Sequence, residues 1–177
     1  MPNTRKFSEL ILYVAKRSED DPNFGATKLN KILFYADFMA FYQLGASISG
    51  QTYQKLKNGP APRFLLPTVS TLKVKEACAE QVRDSYGYRQ RRLIALREPD
   101  LSLFSGQEVG IINEVIDALW HYNATEVSAL SHRFAGWRLA KLGDDIPYEA
   151  AFLAEPRELS QPEIIHGQKL QRALNAA

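Results

Sequence analysis

The sequence has one cysteine in 177 residues, which limits the ways in which the chain can be cross-linked. Cys78 alone can form neither an internal disulfide nor a cysteine-rich zinc site. No apolar run approaches the roughly 20 residues that a membrane-spanning helix needs. The first residues also lack the apolar stretch of a secretory signal. We therefore expect a cytoplasmic protein that does not interact with a membrane.

The sequence also lacks the recurring motifs of catalytic and cofactor sites. His121, His132 and His166 lie in separate segments without the paired spacing of zinc ligands, which favours a structural or surface role for each. The run at residues 59–62, Gly-Pro-Ala-Pro, has neither the lysine nor the free N–H groups that hold a phosphate. We expect no catalytic residue, no cofactor and no metal. A catalytic site built from residues far apart in the sequence would show no such motif, so that alternative stays open.

Apolar residues make up 45% of the sequence, enough for one well-packed core. The longest periodic segment, Ala26 to Gly45, predicts a central helix that is apolar over most of its circumference. We expect Thr27 to cap this helix and Gly45 to end it in the left-handed conformation. Asp37 interrupts the apolar positions, so its carboxylate lies either on an exposed strip or buried against a cation or backbone donors. We favour a paired structural role for Asp37 over a catalytic one.

Other patterns predict further helices and a small amount of β-structure. Helical spacing predicts an amphipathic helix over residues 4–17, and weak alternation over residues 51–57 suggests a short strand. We interpret residues 58–62 as a rigid turn, because two prolines fix φ and remove donors there. Pro67 predicts a kink or a helix that starts near Thr68. Two later helices are predicted to begin at a capping box, Ser105 to Glu108, and at Thr125.

Residues 81–84 and 88–96 read as the two strands of a β-hairpin, with Gly87 in the turn. The expected fold class is therefore α+β: mainly α, with a small antiparallel sheet or hairpin, in one compact domain around the central helix. Residues 61–97 carry eight Lys and Arg against three Asp and Glu, whereas residues 98–177 carry six against twelve. The basic hairpin is either a nucleic-acid surface or an exposed hairpin whose arginines pair with the acidic C-terminal helices.

Three motifs occur in order along the chain. The first is the run from Thr27 to Asp37, Thr-Lys-Leu-Asn-Lys-Ile-Leu-Phe-Tyr-Ala-Asp. The second is Lys-Asn-Gly-Pro-Ala-Pro at residues 57–62, and the third is His132 followed five residues later by Trp137. Together these motifs resemble those of the Panacea domain, the SocA-like antitoxin family of type II toxin–antitoxin systems. This sequence has asparagine at position 30 and alanine at position 61, where the family usually has glutamine and valine.

The resemblance covers about residues 5–155, which we take as one domain, with a C-terminal helical extension over residues 156–177. It implies a bacterial or phage-borne protein that is not an enzyme and that neutralises a cognate toxin, encoded by an adjacent gene, by direct binding. In some related systems the antitoxin is thought to be an adaptor that delivers the toxin to a protease such as ClpXP. The motif residues would then be scaffold: Thr27, Lys28, Leu29, Leu33, Tyr35, Ala36, Asp37, Gly59, Pro60, Pro62, His132 and Trp137.

Contact with the partner is harder to place on the sequence. Our hypothesis is that Arg89, Arg91 and Arg92 of the hairpin meet an acidic patch on the toxin. A nucleic-acid-binding regulatory module that uses the same hairpin is the alternative, and its affinity would fall steeply with salt.

Overall fold

Helices alternate with short antiparallel strands along the chain. The computed structural model describes residues 4–85, 88–153, 161, 165 and 168. The predicted fold class, mainly α with a small antiparallel β-component, is confirmed. The α-helices and strands are α1 Thr4–Arg17, α2 Ala26–Leu44, β1 Tyr53–Leu56, β2 Gly59–Pro62, α3 Leu65–Val74, β3 Cys78–Ser85, β4 Tyr88–Ala95, α4 Gly106–Leu119, α5 Ala124–His132, α6 Ala135–Leu139 and β5 Asp145–Ile146. Two 3-10 turns, Leu101–Leu103 and Tyr148–Phe152, complete these elements.

Helix α2 is the centre of the molecule, as its pattern predicts. It contacts α1, α4, α5, β2 and the turn at Tyr148–Phe152, so apolar residues around most of its circumference are buried. Gly45 ends it with φ +76°, and its N–H bonds to the Phe41 carbonyl, as expected. The predicted cap was wrong: Gly25, not Thr27, precedes the first helical residue. A Cβ at Gly25 would lie 3.2 Å from Gln90 Cγ, so Gly25 packs closely against β4.

One sheet has the strand order β2-β1-β5, and both pairings are antiparallel. Its β2 strand corrects our interpretation of residues 58–62, because Gly59–Pro62 pairs with β1 instead of forming only a turn. The two prolines are accepted because β2 is an edge strand. In an antiparallel strand, the backbone N–H and C=O groups of every second residue point toward the same neighbouring strand. The backbone groups of Ala61 point toward β1, whereas Pro60 and Pro62 occupy the positions between, where no N–H has to donate a hydrogen bond to β1.

The second sheet is the predicted hairpin of β3 and β4. Its tip residues, including Gly87 in the expected turn, lie outside the described residues. The base of the hairpin packs on α1, α2 and α3, whereas residues 81–84 are exposed. Helix α3 starts at Leu65, three residues before the predicted position. Pro67 is tolerated there because N–H groups in the first turn of a helix have no intrahelical acceptor.

The helices that follow the hairpin begin at side-chain caps. Both halves of the predicted capping box between Ser105 and Glu108 are present at α4. Helix α5 is capped two residues earlier than predicted, since Asn123 Oδ1 accepts from the N–H groups of Thr125 and Glu126. The position of Asn123 before that turn makes it the cap in place of Thr125.

Within the described ranges, no helix is both long and apolar enough to cross a bilayer. The division into a domain at residues 1–155 and a C-terminal extension at residues 156–177 stays a prediction. Of the extension, the structure describes only residues 161, 165 and 168, all exposed and helical.

Candidate functional site

The first motif places charged side chains inside the protein. Lys28 Nζ lies 2.5 Å from the Asp21 carboxylate, and each side chain is 1% exposed. The same ammonium donates a 2.7 Å hydrogen bond to the carbonyl of Trp120 at the end of α4. Burial lowers the pKa of Lys28, and the Asp21 carboxylate opposes that shift. Lys28 therefore joins the α1–α2 loop, α2 and α4 through one charge.

Lys31, one helical turn further on, connects the first motif to the second. Its Nζ donates a 3.0 Å hydrogen bond to the carbonyl of Pro60. That carbonyl faces away from β1, so it has no partner in the ladder, and the lysine satisfies it. Desolvation lowers the pKa of Lys31 to about 8.

Gly59 lies directly against this contact. Its φ of +104° is one that residues with a Cβ rarely adopt. A Cβ at this position would lie 2.2 Å from Ser131 Oγ and 2.5 Å from Lys31 Nζ. Glycine is therefore required at position 59 both by its backbone conformation and by the lack of room for a Cβ. It allows β2 to approach α2 and α5, and Pro60 presents its carbonyl to Lys31.

The third motif packs against β1, the partner strand of β2. The rings of His132 and Trp137 stack with centroids 4.0 Å apart and planes inclined by 11°. Trp137 Nε1 donates a 3.0 Å hydrogen bond to the Leu56 carbonyl, and Lys55 Nζ lies 4.3 Å from the Trp137 ring centroid. Burial lowers the pKa of His132, and the charge of Lys31 acts in the same direction. His132 Nε2 is buried without a hydrogen-bond partner among the described residues.

These contacts bring all three motifs to one place. We call Lys31, Gly59, Pro60, His132 and Trp137 the motif junction. The remaining scaffold candidates lie around it. Leu29, Leu33 and Ala36 belong to the apolar core, Pro62 is buried in β2, Tyr35 is half-buried, and Thr27 lies in the first turn of α2. Their role as scaffold is consistent with these positions and stays a prediction.

Asp37 is fully buried, and its partners are donors. The backbone N–H of Ser49 lies 2.8 Å from one carboxylate oxygen, and the other oxygen accepts from the hydroxyls of Ser49 and Tyr53. Tyr148 Oη is 3.5 Å from the same oxygen. Burial raises the pKa of the Asp37 carboxyl, and these hydrogen bonds oppose the shift. Asp37 thus holds the α2–β1 loop and the first residue of β1 on α2.

The three hairpin arginines do not share one surface. Arg89 is exposed opposite Asp84, and Arg91 is exposed with a hydrogen bond from its Nε to Glu80. Arg92 is 2% exposed, and its guanidinium donates to the carbonyls of Ser18, Glu19 and Asp21. This placement differs from the exposed position that we expected for Arg92. Adjacent residues of a strand face opposite sides, and that period is the signal that separates Arg92 from Arg91.

Glu80 partly offsets the positive charge of the hairpin. It accepts from Arg91 and, at 2.5 Å, from Lys73. These two hydrogen bonds lower the pKa of Glu80 to about 2, so it is ionised at neutral pH. Arg91 therefore has its acidic partner within the hairpin itself.

Sequence reasoning missed several residues that build these sites. Asp21, Tyr53, Tyr148 and Ser131 were not singled out, although each contacts a motif residue or limits the space beside one. Tyr148 is 111 positions from Asp37 in the sequence, so no local pattern could join them.

The comparisons with known proteins agree with this arrangement. The family described as antitoxin SocA-like, Panacea domain, matches residues 29–138, which extend from the first motif in α2 to just past Trp137 in α6. No curated protein and no solved structure matches the chain. The match covers more than half of the chain and includes most of the first motif and all of the other two. The protein belongs to the SocA-like antitoxin family and carries its Panacea domain.

Proposed function

We propose that this protein is an antitoxin that neutralises a toxin by binding it directly, without catalysis. One observation supports this proposal in addition to family membership: the charged residues of the first motif make contacts inside the protein. Lys28, Lys31 and Asp37 are each at most 2% exposed, and each has a hydrogen-bond partner in another element. Charges arranged in this way stabilise a scaffold, and surfaces elsewhere are left to meet the partner.

The hairpin is the surface that we propose for contact with the toxin. Arg92 fixes its base by binding three carbonyls of the α1–α2 loop, while Arg89 and Arg91 project into solvent. A rigid base lowers the entropy that is lost when a surface is ordered on binding. Exposed arginines beside apolar Val82, which is 53% exposed, suit an acidic patch with some apolar area.

Co-expression with the adjacent open reading frame tests the proposal. Growth is scored with each gene alone and with both, and the two products are then co-purified. We expect the neighbour to arrest growth, this chain to restore it, and a stoichiometric complex to survive moderate salt. A harmless neighbour that forms no complex would contradict the proposal.

The fate of the toxin separates simple neutralisation from delivery to a protease such as ClpXP. If the protein is an adaptor, the half-life of the toxin will shorten when both are expressed and recover in a strain that lacks the protease. An unchanged half-life with full rescue of growth assigns neutralisation to binding alone. Retention of nucleic acid that falls steeply with salt, without rescue, would instead favour the regulatory module.

A further inference from the structure

A cavity of about 220 Å³ lies between the start of α1 and the start of α3. The described residues that line it are all uncharged: Thr4, Ser8, Gln51, Phe64, Pro67, Thr68 and Thr71. Its described lining includes no residue of the motif junction and neither Arg89 nor Arg91, so neither the scaffold nor the proposed hairpin contact uses it.

Gln51 is the unusual residue in this cavity. Its side chain is 2% exposed, and its Oε1 is buried without a hydrogen-bond partner among the described residues. The backbone around it is well held, because the Gln51 carbonyl accepts a 2.6 Å bond from Tyr148 and its N–H donates to Ser49 Oγ. A buried amide oxygen without a donor is costly, so an unfilled acceptor at a fixed position needs an explanation.

Two of the hydroxyls around the cavity are bonded elsewhere. Ser8 Oγ donates to the Thr4 carbonyl, and Thr71 Oγ1 donates to the Pro67 carbonyl, both within their own helices. The terminal torsion of a glutamine side chain is soft, so Oε1 can turn toward a group that enters the cavity.

From these observations we infer that the cavity is a binding site for a neutral aromatic group that carries one hydrogen-bond donor. The absence of a charged residue in the described lining disfavours an ammonium or guanidinium group, whose burial requires a counter-charge. Phe64, which is 51% exposed, offers a ring to an aromatic ligand. The donor completes the hydrogen bonding of Gln51.

Under the proposed function, on which this part rests, the toxin supplies the group as a tyrosine or tryptophan side chain. Such residues are frequent anchors at the centre of protein interfaces, where they fill a preformed pocket and use their one polar atom. The cavity would add an anchor on the face formed by α1 and α3 to the charged contact at the hairpin.

The binding of p-cresol tests the site without any partner. It is titrated into the full-length protein and followed by amide chemical shifts, with toluene as the analogue that lacks the hydroxyl. We expect shifts around Gln51 and Thr68, and about fivefold tighter binding of p-cresol than of toluene, the worth of one neutral hydrogen bond. Equal binding of the two compounds, or shifts elsewhere in the protein, would overturn the inference.

Two variants and a control test whether the preference for p-cresol depends on Gln51 and on the cavity. Gln51→Leu removes the acceptor and should abolish the preference for p-cresol without lowering the melting temperature, because no donor in the described structure depends on it. Ser8→Leu fills the cavity from α1 and should abolish the binding of both compounds. Gln43→Leu, at an exposed position of α2, should change neither affinity. A preference that persists in a folded Gln51→Leu or Ser8→Leu protein would also overturn the inference.

The toxin complex separates failure of this inference from failure of the proposed function. If wild-type protein forms no complex but prefers p-cresol as expected, the site stands and the proposed function fails. If the complex forms and Ser8→Leu binds the toxin as tightly as wild type does, the toxin does not use the cavity as an anchor. We expect Ser8→Leu to weaken the complex at least tenfold, because it fills the cavity, and Gln51→Leu to weaken it about fivefold, because it removes one hydrogen bond.

Discussion

Helix α2 and the outer part of the β3–β4 hairpin both carry several charges, in opposite surroundings. In α2, Lys28, Lys31 and Asp37 are buried and joined to carbonyls, a carboxylate and hydroxyls of other elements. In the hairpin, Arg89 and Arg91 are exposed, and their acidic neighbours belong to the hairpin itself. The difference teaches that a charged motif can be a structural one, and that contact residues must be sought where charges remain in water.

If this comparison is right, the largest loss of stability will come from breaking the pair between Lys28 and Asp21. Lys28→Met leaves a carboxylate that is 1% exposed without its counter-charge, and we expect a loss of about 3 to 5 kcal/mol in the free energy of unfolding. Urea denaturation measures it. The double variant Lys28→Met/Asp21→Asn removes the orphaned charge and should recover part of the loss. A single variant as stable as wild type would contradict a buried pair.

The second largest loss is expected for Gly59→Ala, which should lower the free energy of unfolding by about 3 kcal/mol. The variant combines a strained φ with a Cβ inside the motif junction. Gly45→Ala is the matched control. Gly45 also has a positive φ, +76°, but a Cβ there meets nothing within 4 Å, so the backbone cost alone, about 1 kcal/mol, is expected. Equal losses in the two variants would mean that close packing at Gly59 contributes nothing.

Two arginines of β4, one buried and one exposed, allow the same comparison of stability within the hairpin. Arg92→Met leaves three carbonyls of the α1–α2 loop without their donor, which we expect to cost about 2 to 3 kcal/mol. Arg89→Met, on the exposed side, should stay within about 0.5 kcal/mol of wild type. Thermal and urea unfolding of the two variants provide the measurement. The reverse order of losses would show that Arg92 is not buried as described.

Lys31 gives the smallest expected effect, in the pH dependence of stability. Its pKa is about 8 in the folded protein, against about 10.5 when unfolded, so between these values the unfolded chain binds more protons. The contribution of Lys31 to stability therefore rises with pH, by about 1 kcal/mol from pH 7 to pH 9. Unfolding of wild type and Lys31→Met across this range isolates the rise, which should be missing in the variant. Parallel curves would contradict a desolvated Lys31.

Features set by neighbours in the chain could be predicted from the sequence. The left-handed end of α2 at Gly45, the capping box at Ser105 and the β3–β4 hairpin each depend on residues a few positions apart, and all three are confirmed. The cap of α2 was misplaced: the residue before the helix is Gly25, which packs against Gln90 of β4, more than 60 residues away. The edge strand at Gly59–Pro62 was missed because proline usually disfavours a strand, and only the sheet shows which edge is free.

The candidate site shows the same limit more strongly. The order of the three motifs pointed to the family, but not to the bond between Lys31 and Pro60 or to the pair between Lys28 and Asp21. The bond between Lys31 and Pro60 depends on how β2 packs on α2. Other residues that complete the site, such as Trp120 at Lys28 and Tyr148 beside Asp37, are separated by about a hundred positions from their partners. For Arg92 the two-residue period of a strand was available and would have separated it from Arg91.

The central claim is that the motif charges stabilise the scaffold while the hairpin charges contact the toxin. The most direct test is the affinity of the toxin for Arg89→Glu/Arg91→Glu, measured by calorimetry beside its melting temperature. Arg138→Glu/Lys141→Glu, at exposed positions in and after α6, makes the same change in net charge and serves as the control. We predict binding at least tenfold weaker than wild type for the hairpin variant alone, with its melting temperature nearly unchanged. Equal affinity of the hairpin variant and wild type would contradict the account.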